Sequence, residues 1–216
     1  MKHLLFLLIS ASLFLAISAK AQNSTAAFSD KKEYTSIDEA LKNPSQVYRL
    51  NLSNQNVVLA DSIWKKFSNL EYLSFKNDHL KQLPVGIGVL KNLKVLDLSG
   101  NDFTMLPRTI VNLKSLQELY LNDEKNFRLE KNMFLLSKLV NLKSLHLEND
   151  NLISLPKNIN KLKKIESLYM NDNHFKKIPV EIKGLKSLKY VDLHHNDFKS
   201  SLSGLQKMPY GIKINF

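Results

Sequence analysis

A 23-residue period runs through most of this chain, and few folds accommodate it. Leu93 to Ser115 shows the unit. Apolar residues stand at its first, fourth and sixth positions (Leu93, Leu96, Leu98), Asn101 at the ninth and Phe103 at the eleventh. Leu106-Pro107, Ile110 and Leu113 follow. Counting by 23 reaches Leu70 and Val47 in one direction and Leu116 in the other; after one interval of 26 the series resumes at Leu142, Ile165 and Leu188. A fixed period of this kind is the signature of a solenoid, in which each unit hides its apolar side only against its neighbours.

The residue types at each position predict the shape of one coil. Apolar fourth and sixth positions among polar neighbours follow strand alternation, with Leu96 and Leu98 inside and Asp97 outside. The second half begins with a proline, which a short helix or 3-10 turn tolerates in its first turn. These halves are wider than strands, so the stack curves with the sheet inside. The ninth-position residues Asp78, Asn101, Asp150, Asn173 and Asn196 form a structural ladder that bonds backbone groups freed where the chain leaves the strand. An ionised aspartate can only accept, so a slightly different turn is expected at Asp78 and Asp150. No ladder residue is assigned in the fourth repeat, where Asn122 to Met133 holds three extra residues that would bulge at the sheet edge.

The repeated string L-x-x-L-x-L-x-x-N-x-L, followed by x-x-L-P-x-x-I-x-x-L-x-x, resembles the leucine-rich repeat family from Val47 to Phe216, in the 23-residue form found in many bacterial proteins. The resemblance implies an α/β fold: a leucine-rich-repeat solenoid, a curved right-handed superhelix. A parallel sheet of about eight short strands lines its concave face, and short helices or 3-10 turns its convex face. It also implies a non-catalytic module that binds a protein or peptide. The Leu-Pro tail is shared with plant and animal Ras-related scaffolds, which would suggest a GTPase-type partner. An export signal places the chain in the wrong compartment for that.

The signal is Met1 to Ala21: a short polar head, an apolar run from Leu4 to Ile17, and Ala19-Lys20-Ala21 as an A-x-A cleavage site. The run is short of the ~20 apolar residues that a membrane-crossing helix needs. Cleavage near Ala21 removes Lys2 and Lys20 and lowers the formal charge from +11 to +9 (11 − 2). The expected address is secreted or periplasmic. Residues 22–35 read as a flexible linker, and residues 36–46 as an N-terminal capping helix opened by the S-x-x-E capping box Ser36 to Glu39. Seven repeats plus a terminal strand fill 47–216. The chain has no cysteine, which excludes disulfide caps, thiolate metal sites and a lipidated cysteine anchor, and makes a bacterial source the natural expectation.

Outward positions of the inner face carry the functional expectation. The third, fifth, seventh and eighth residues of the repeats supply Tyr72, Asp97, Glu118, Tyr120, His146, Glu148, Tyr169, Asp172, Tyr190, Asp192 and His194 as partner-binding candidates. Tyrosine is favoured at interfaces. The set is mildly acidic in a chain of net charge +11, so phosphate recognition is not expected there and nucleic acid is not the expected partner. Lys157, Lys161, Lys163, Lys164, Lys176, Lys177, Lys183 and Lys186 fall in the outer halves, and give the alternative of weak attachment to an anionic envelope or host surface. No H-x-x-x-H pair, phosphate loop or nucleophile elbow occurs, so no catalytic residue, metal or cofactor is expected. His194 and His195, as neighbours on a strand, would point apart. The final strand, Gly211 to Phe216, is an edge that invites dimerisation.

Overall fold

The computed structural model describes residues 31–198 and 211–216. The expected leader, most of the linker and the seventh repeat's second half at Leu202, Leu205 and Met208 lie outside them. Among the described residues nine strands form one sheet in sequence order: β1 (Glu33–Tyr34), β2 (Arg49–Asn51), β3 (Tyr72–Ser74), β4 (Val95–Asp97), β5 (Glu118–Tyr120), β6 (Ser144–His146), β7 (Ser167–Tyr169), β8 (Tyr190–Asp192) and β9 (Lys213–Asn215). Every pairing from β2 to β9 is parallel and advances one repeat without slippage. Residues 33 and 34 were expected in the linker but lie in a strand.

Leu50, Leu73, Leu96, Leu119, Leu145, Leu168, Val191 and Ile214 stand side by side along the sheet, each the strand's inward residue. All but Ile214 are fully buried, and Ile214 packs partly buried against them. A three-residue strand turns only its central side chain inward, so the column follows from the period once the strands are in register.

The outer halves are 3-10 turns at Asp61–Lys66, Val85–Val89, Arg108–Asn112, Ile159–Lys161 and Val180–Gly184. Proline stands just before three of these turns rather than inside them: Pro84, Pro107 and Pro179 occupy the cap position. The reason is in the hydrogen bonding. The carbonyls of Pro84, Pro107, Pro156 and Pro179 accept from the amides of Ile87, Ile110, Ile159 and Ile182, so proline closes the turn with its acceptor and loses nothing by lacking a donor. Each isoleucine is completely buried.

The fourth repeat differs. Its extra residues build helix α2 (Leu129–Leu136), following the short capping helix α1 (Ile37–Ala40) in chain order. The enlargement therefore joins the convex layer instead of bulging at the sheet edge. Buried Asn132 ties it down: its Oδ1 accepts from the Leu106 amide at 2.9 Å, and its Nδ2 donates to the Thr104 carbonyl at 3.1 Å. At the other end, Ser36 Oγ caps α1 by accepting from the Glu39 amide at 3.4 Å.

A polar ladder runs beside the apolar one. Asn101 Oδ1 accepts from the Asp78 and Leu80 amides, while its Nδ2 donates to the Phe75 and Leu98 carbonyls. Asn173 repeats the pattern with Asp150, Leu152, Leu147 and Met170. Asp78, without a donor, accepts among the described residues only from the Gln55 and Asn56 amides. The turn changes accordingly: His79 and Asn151, which follow Asp78 and Asp150, are left-handed, with φ of 52° and 56°, whereas the residues after Asn101 and Asn173 are not.

Glu124 completes the ladder in the fourth repeat. Its carboxylate takes the Asn101 amide at 2.6 Å and the Phe103 amide at 3.1 Å, and its own amide donates to Asp150 Oδ1 at 2.8 Å. Its place is the ninth from Leu116, so the regular count reaches it. The longer side chain, at a position filled elsewhere by Asn or Asp, hides the match.

Candidate functional site

The strand register places the outward side chains in two rows. One reads Arg49, Tyr72, Val95, Glu118, Ser144, Ser167, Tyr190 and Lys213; the other reads Asn51, Ser74, Asp97, Tyr120, His146, Tyr169, Asp192 and Asn215. Parallel strands lie about 4.8 Å apart, a spacing at which rings in one row stack. Tyr120 and His146 are 3.8 Å apart between centroids and 18° from parallel, and His146 and Tyr169 are 4.2 Å apart at 5°. Tyr190 joins from the neighbouring row, 5.4 Å from Tyr169 and tilted by 54°. Four consecutive strands thus carry a continuous aromatic strip.

His146, expected as an exposed contact, is only 7% exposed, because tyrosine rings cover both its faces. Its edges are held as well: Nε2 lies 3.0 Å from Glu118 Oε1, and Nδ1 lies 3.3 Å from Glu148 Oε1. Burial alone would lower the imidazole's pKa, but the two carboxylates together outweigh it and hold it above the usual histidine value. Tyr120 donates its hydroxyl to Glu118 Oε1 at 2.8 Å; burial and that carboxylate both push the phenol upward. His146 therefore acts as a clamp within the strip, holding Tyr120 and Tyr169 in place.

Asp192 does the corresponding work at Tyr190. Its Oδ2 accepts from the Tyr190 hydroxyl at 2.8 Å, and its Oδ1 accepts from the His194 amide at 3.2 Å and from Asn215 Nδ2 at 3.0 Å. Burial opposes its ionisation, but these hydrogen bonds and the His194 ring overcome that and hold the carboxyl below the usual range. Asp97 spends one oxygen on the Ser99 amide at 3.0 Å. Tyr72 stands apart, separated from Tyr120 by one strand, with the Arg49 guanidinium 4.2 Å over its ring. The candidates therefore divide. Tyr120, Tyr169 and Tyr190 present ring surface, while Glu118, His146, Glu148 and Asp192 position them.

A further regularity appears where the strands end. The eighth residue of every repeat is left-handed: Asn54, Asn77, Gly100, Asp123, Asn149, Asp172 and His195. Asparagine, aspartate, histidine and glycine are the residues that tolerate that region, so their recurrence at the eighth position is a sequence signal for the left-handed turn. At Gly100, with φ of 69°, an added Cβ would also lie 2.0 Å from Asn77 Oδ1. His195 shares this geometry, which turns it toward His194 instead of away from it, with ring centroids 4.5 Å apart.

Comparison with known proteins agrees with the geometry. The model of the leucine-rich repeat region matches residues 46–136, and that of the leucine rich repeat matches residues 140–198. Among solved structures, a leucine-rich repeat protein of Leptospira interrogans is 30% identical with a TM-score of 0.65; the match covers 85% of this chain and 54% of that one, so this chain spans about half its length. Internalin C2 of Listeria monocytogenes is 21% identical with a TM-score of 0.57, covering 76% of this chain and 68% of that one. A chain of the Drosophila Toll–Spatzle complex is 17% identical with a TM-score of 0.64, covering 78% and 23% respectively. The last two show the fold alone. No curated protein matches the chain in sequence. From its register, its polar ladder and these matches, the chain belongs to the leucine-rich repeat family.

Proposed function

We propose that the chain is an exported, non-catalytic recognition module that holds a protein or peptide partner on its concave sheet. The aromatic strip of Tyr120, His146, Tyr169 and Tyr190 carries this reading. Stacked rings fixed by buried carboxylates offer contact area with little rotamer freedom left to lose on binding. The acidic side chains around the strip disfavour phosphate and so favour protein over nucleic acid. Leucine-rich repeat proteins are commonly protein-binding, and one structural neighbour comes from a complex of Toll with Spatzle. Export belongs to the same proposal, through removal of Met1 to Ala21 in a bacterial cell; a mature protein that still begins at Met1 would contradict it.

The test is co-purification from the native cell-envelope fraction with Tyr120→Ala/Tyr169→Ala against the unsubstituted chain, after circular dichroism shows both folded. The account expects the double substitution to release the partner. Partner retention, together with salt-sensitive binding to anionic vesicles, would move the function to the convex lysines instead. Those eight lysines are all exposed, the observation that keeps the alternative in view.

A further inference from the structure

Where β7 and β8 run into their turns, Asp172, His194 and His195 bring a carboxylate oxygen and two imidazole nitrogens within 4.8 Å of one another. We propose that these three side chains form a site for a divalent transition-metal ion of the zinc class. The donor set points to that class: two imidazoles and one carboxylate suit zinc, whereas calcium and magnesium require oxygen ligands.

Two features of the fold build the site. Asp172 and His195 occupy the left-handed eighth position of successive coils, with φ of 57° and 52°, so their side chains emerge side by side with His195 Nδ1 2.9 Å from Asp172 Oδ1. The Asp172 amide donates to the His194 carbonyl at 3.1 Å and fixes one turn against the next. The second feature is the support behind His194. Its Nδ1 lies 2.5 Å from Asp192 Oδ1, and that buried carboxylate is itself held by Tyr190 and Asn215. A histidine that gives its Nδ1 proton to a carboxylate presents Nε2 as the metal donor, with ring and tautomer set in advance.

The side chains of His195 and Asp172 are 74% and 45% exposed, so they can draw in to metal–ligand distances of about 2.0–2.2 Å without disturbing the core. Three protein ligands leave the fourth tetrahedral position open to water or to a donor from another molecule. The site lies at the lip of the sheet and does not depend on the aromatic strip being a binding surface.

Isothermal titration of the tag-free chain with zinc chloride tests this, alongside Asp172→Asn/His195→Asn and, as control, His174→Asn, whose exposed ring pairs with Asp197 and is not one of the three clustered side chains. The expected result is one zinc per chain with micromolar affinity, weakened about tenfold or more by the double substitution and unchanged in the control. Cobalt in place of zinc should give visible absorption bands that the double substitution abolishes. An unsubstituted chain that takes up no zinc, or a double variant that binds it equally well, overturns the proposal.

Discussion

Leu145→Ala is expected to cost about 2–5 kcal/mol of folding stability, enough to unfold a marginal domain at moderate temperature. Leu145 is completely buried and sits between Leu119 and Leu168 in the inward column. Its truncation leaves a void that both neighbouring coils share. Neither coil can collapse into it, because each strand is held in register by the next. Chemical denaturation of the two proteins measures the effect. A loss under 1 kcal/mol would mean that the coils do not support one another as the fold requires.

The second large effect concerns charge. Asp150 and Glu124 are adjacent acids in the buried ladder, and Asp150 Oδ2 is buried without a hydrogen-bond partner among the described residues. Burial is the main cause that lifts Asp150 from 3.8 to about 8 and Glu124 from 4.5 to about 7, with mutual repulsion adding at Asp150. The folded chain therefore keeps protons that the unfolded chain releases. Stability from this pair is fully present below about pH 4 and is lost as pH rises through the folded values. His146, held above its ordinary value, acts in the same direction.

Asp150→Asn should remove much of this dependence. The amide supplies the donor that Asn173 gives to the Leu147 and Met170 carbonyls, and it removes the charge beside Glu124. A gain of about 1–3 kcal/mol is expected at pH 8, shrinking toward pH 5 where the acid is already neutral. Denaturation midpoints across pH 4–9 measure both proteins. A variant less stable than the parent at pH 8, or a parent whose stability rises with pH, would contradict the assignment.

Most of the fold was legible because a single period fixes it. Once Leu96 is inward, every counterpart 23 residues away must be inward too, and the ladder asparagines and the altered turn at Asp78 follow from donor and acceptor counting; Asp150 turns the same way although burial keeps its proton on, because its buried Oδ2 meets no hydrogen-bond partner among the described residues. Glu124 stands at the ninth place of an intact count, but its longer side chain and the three extra residues beside it disguise the position. His146 stands in the outward row that alternation predicts, yet it is buried. Strand alternation says which way a side chain points, not what its neighbours do, and outward residues on adjacent parallel strands are near enough to bury one another. His194 and His195 show the limit of alternation itself, since the strand ends at Asp192 and a left-handed residue follows. The proline offset reflects hydrogen bonds that only the carbonyl's direction reveals.

Photo-crosslinking in the native envelope fraction tests the central claim most directly, with a photoreactive residue placed singly at position 169 on the concave strip or at position 183 on the convex side. The account predicts a discrete adduct from position 169 and none from position 183. Adducts from position 183 alone would show that the partner docks on the outer face and that the stacked rings serve only to hold the sheet together.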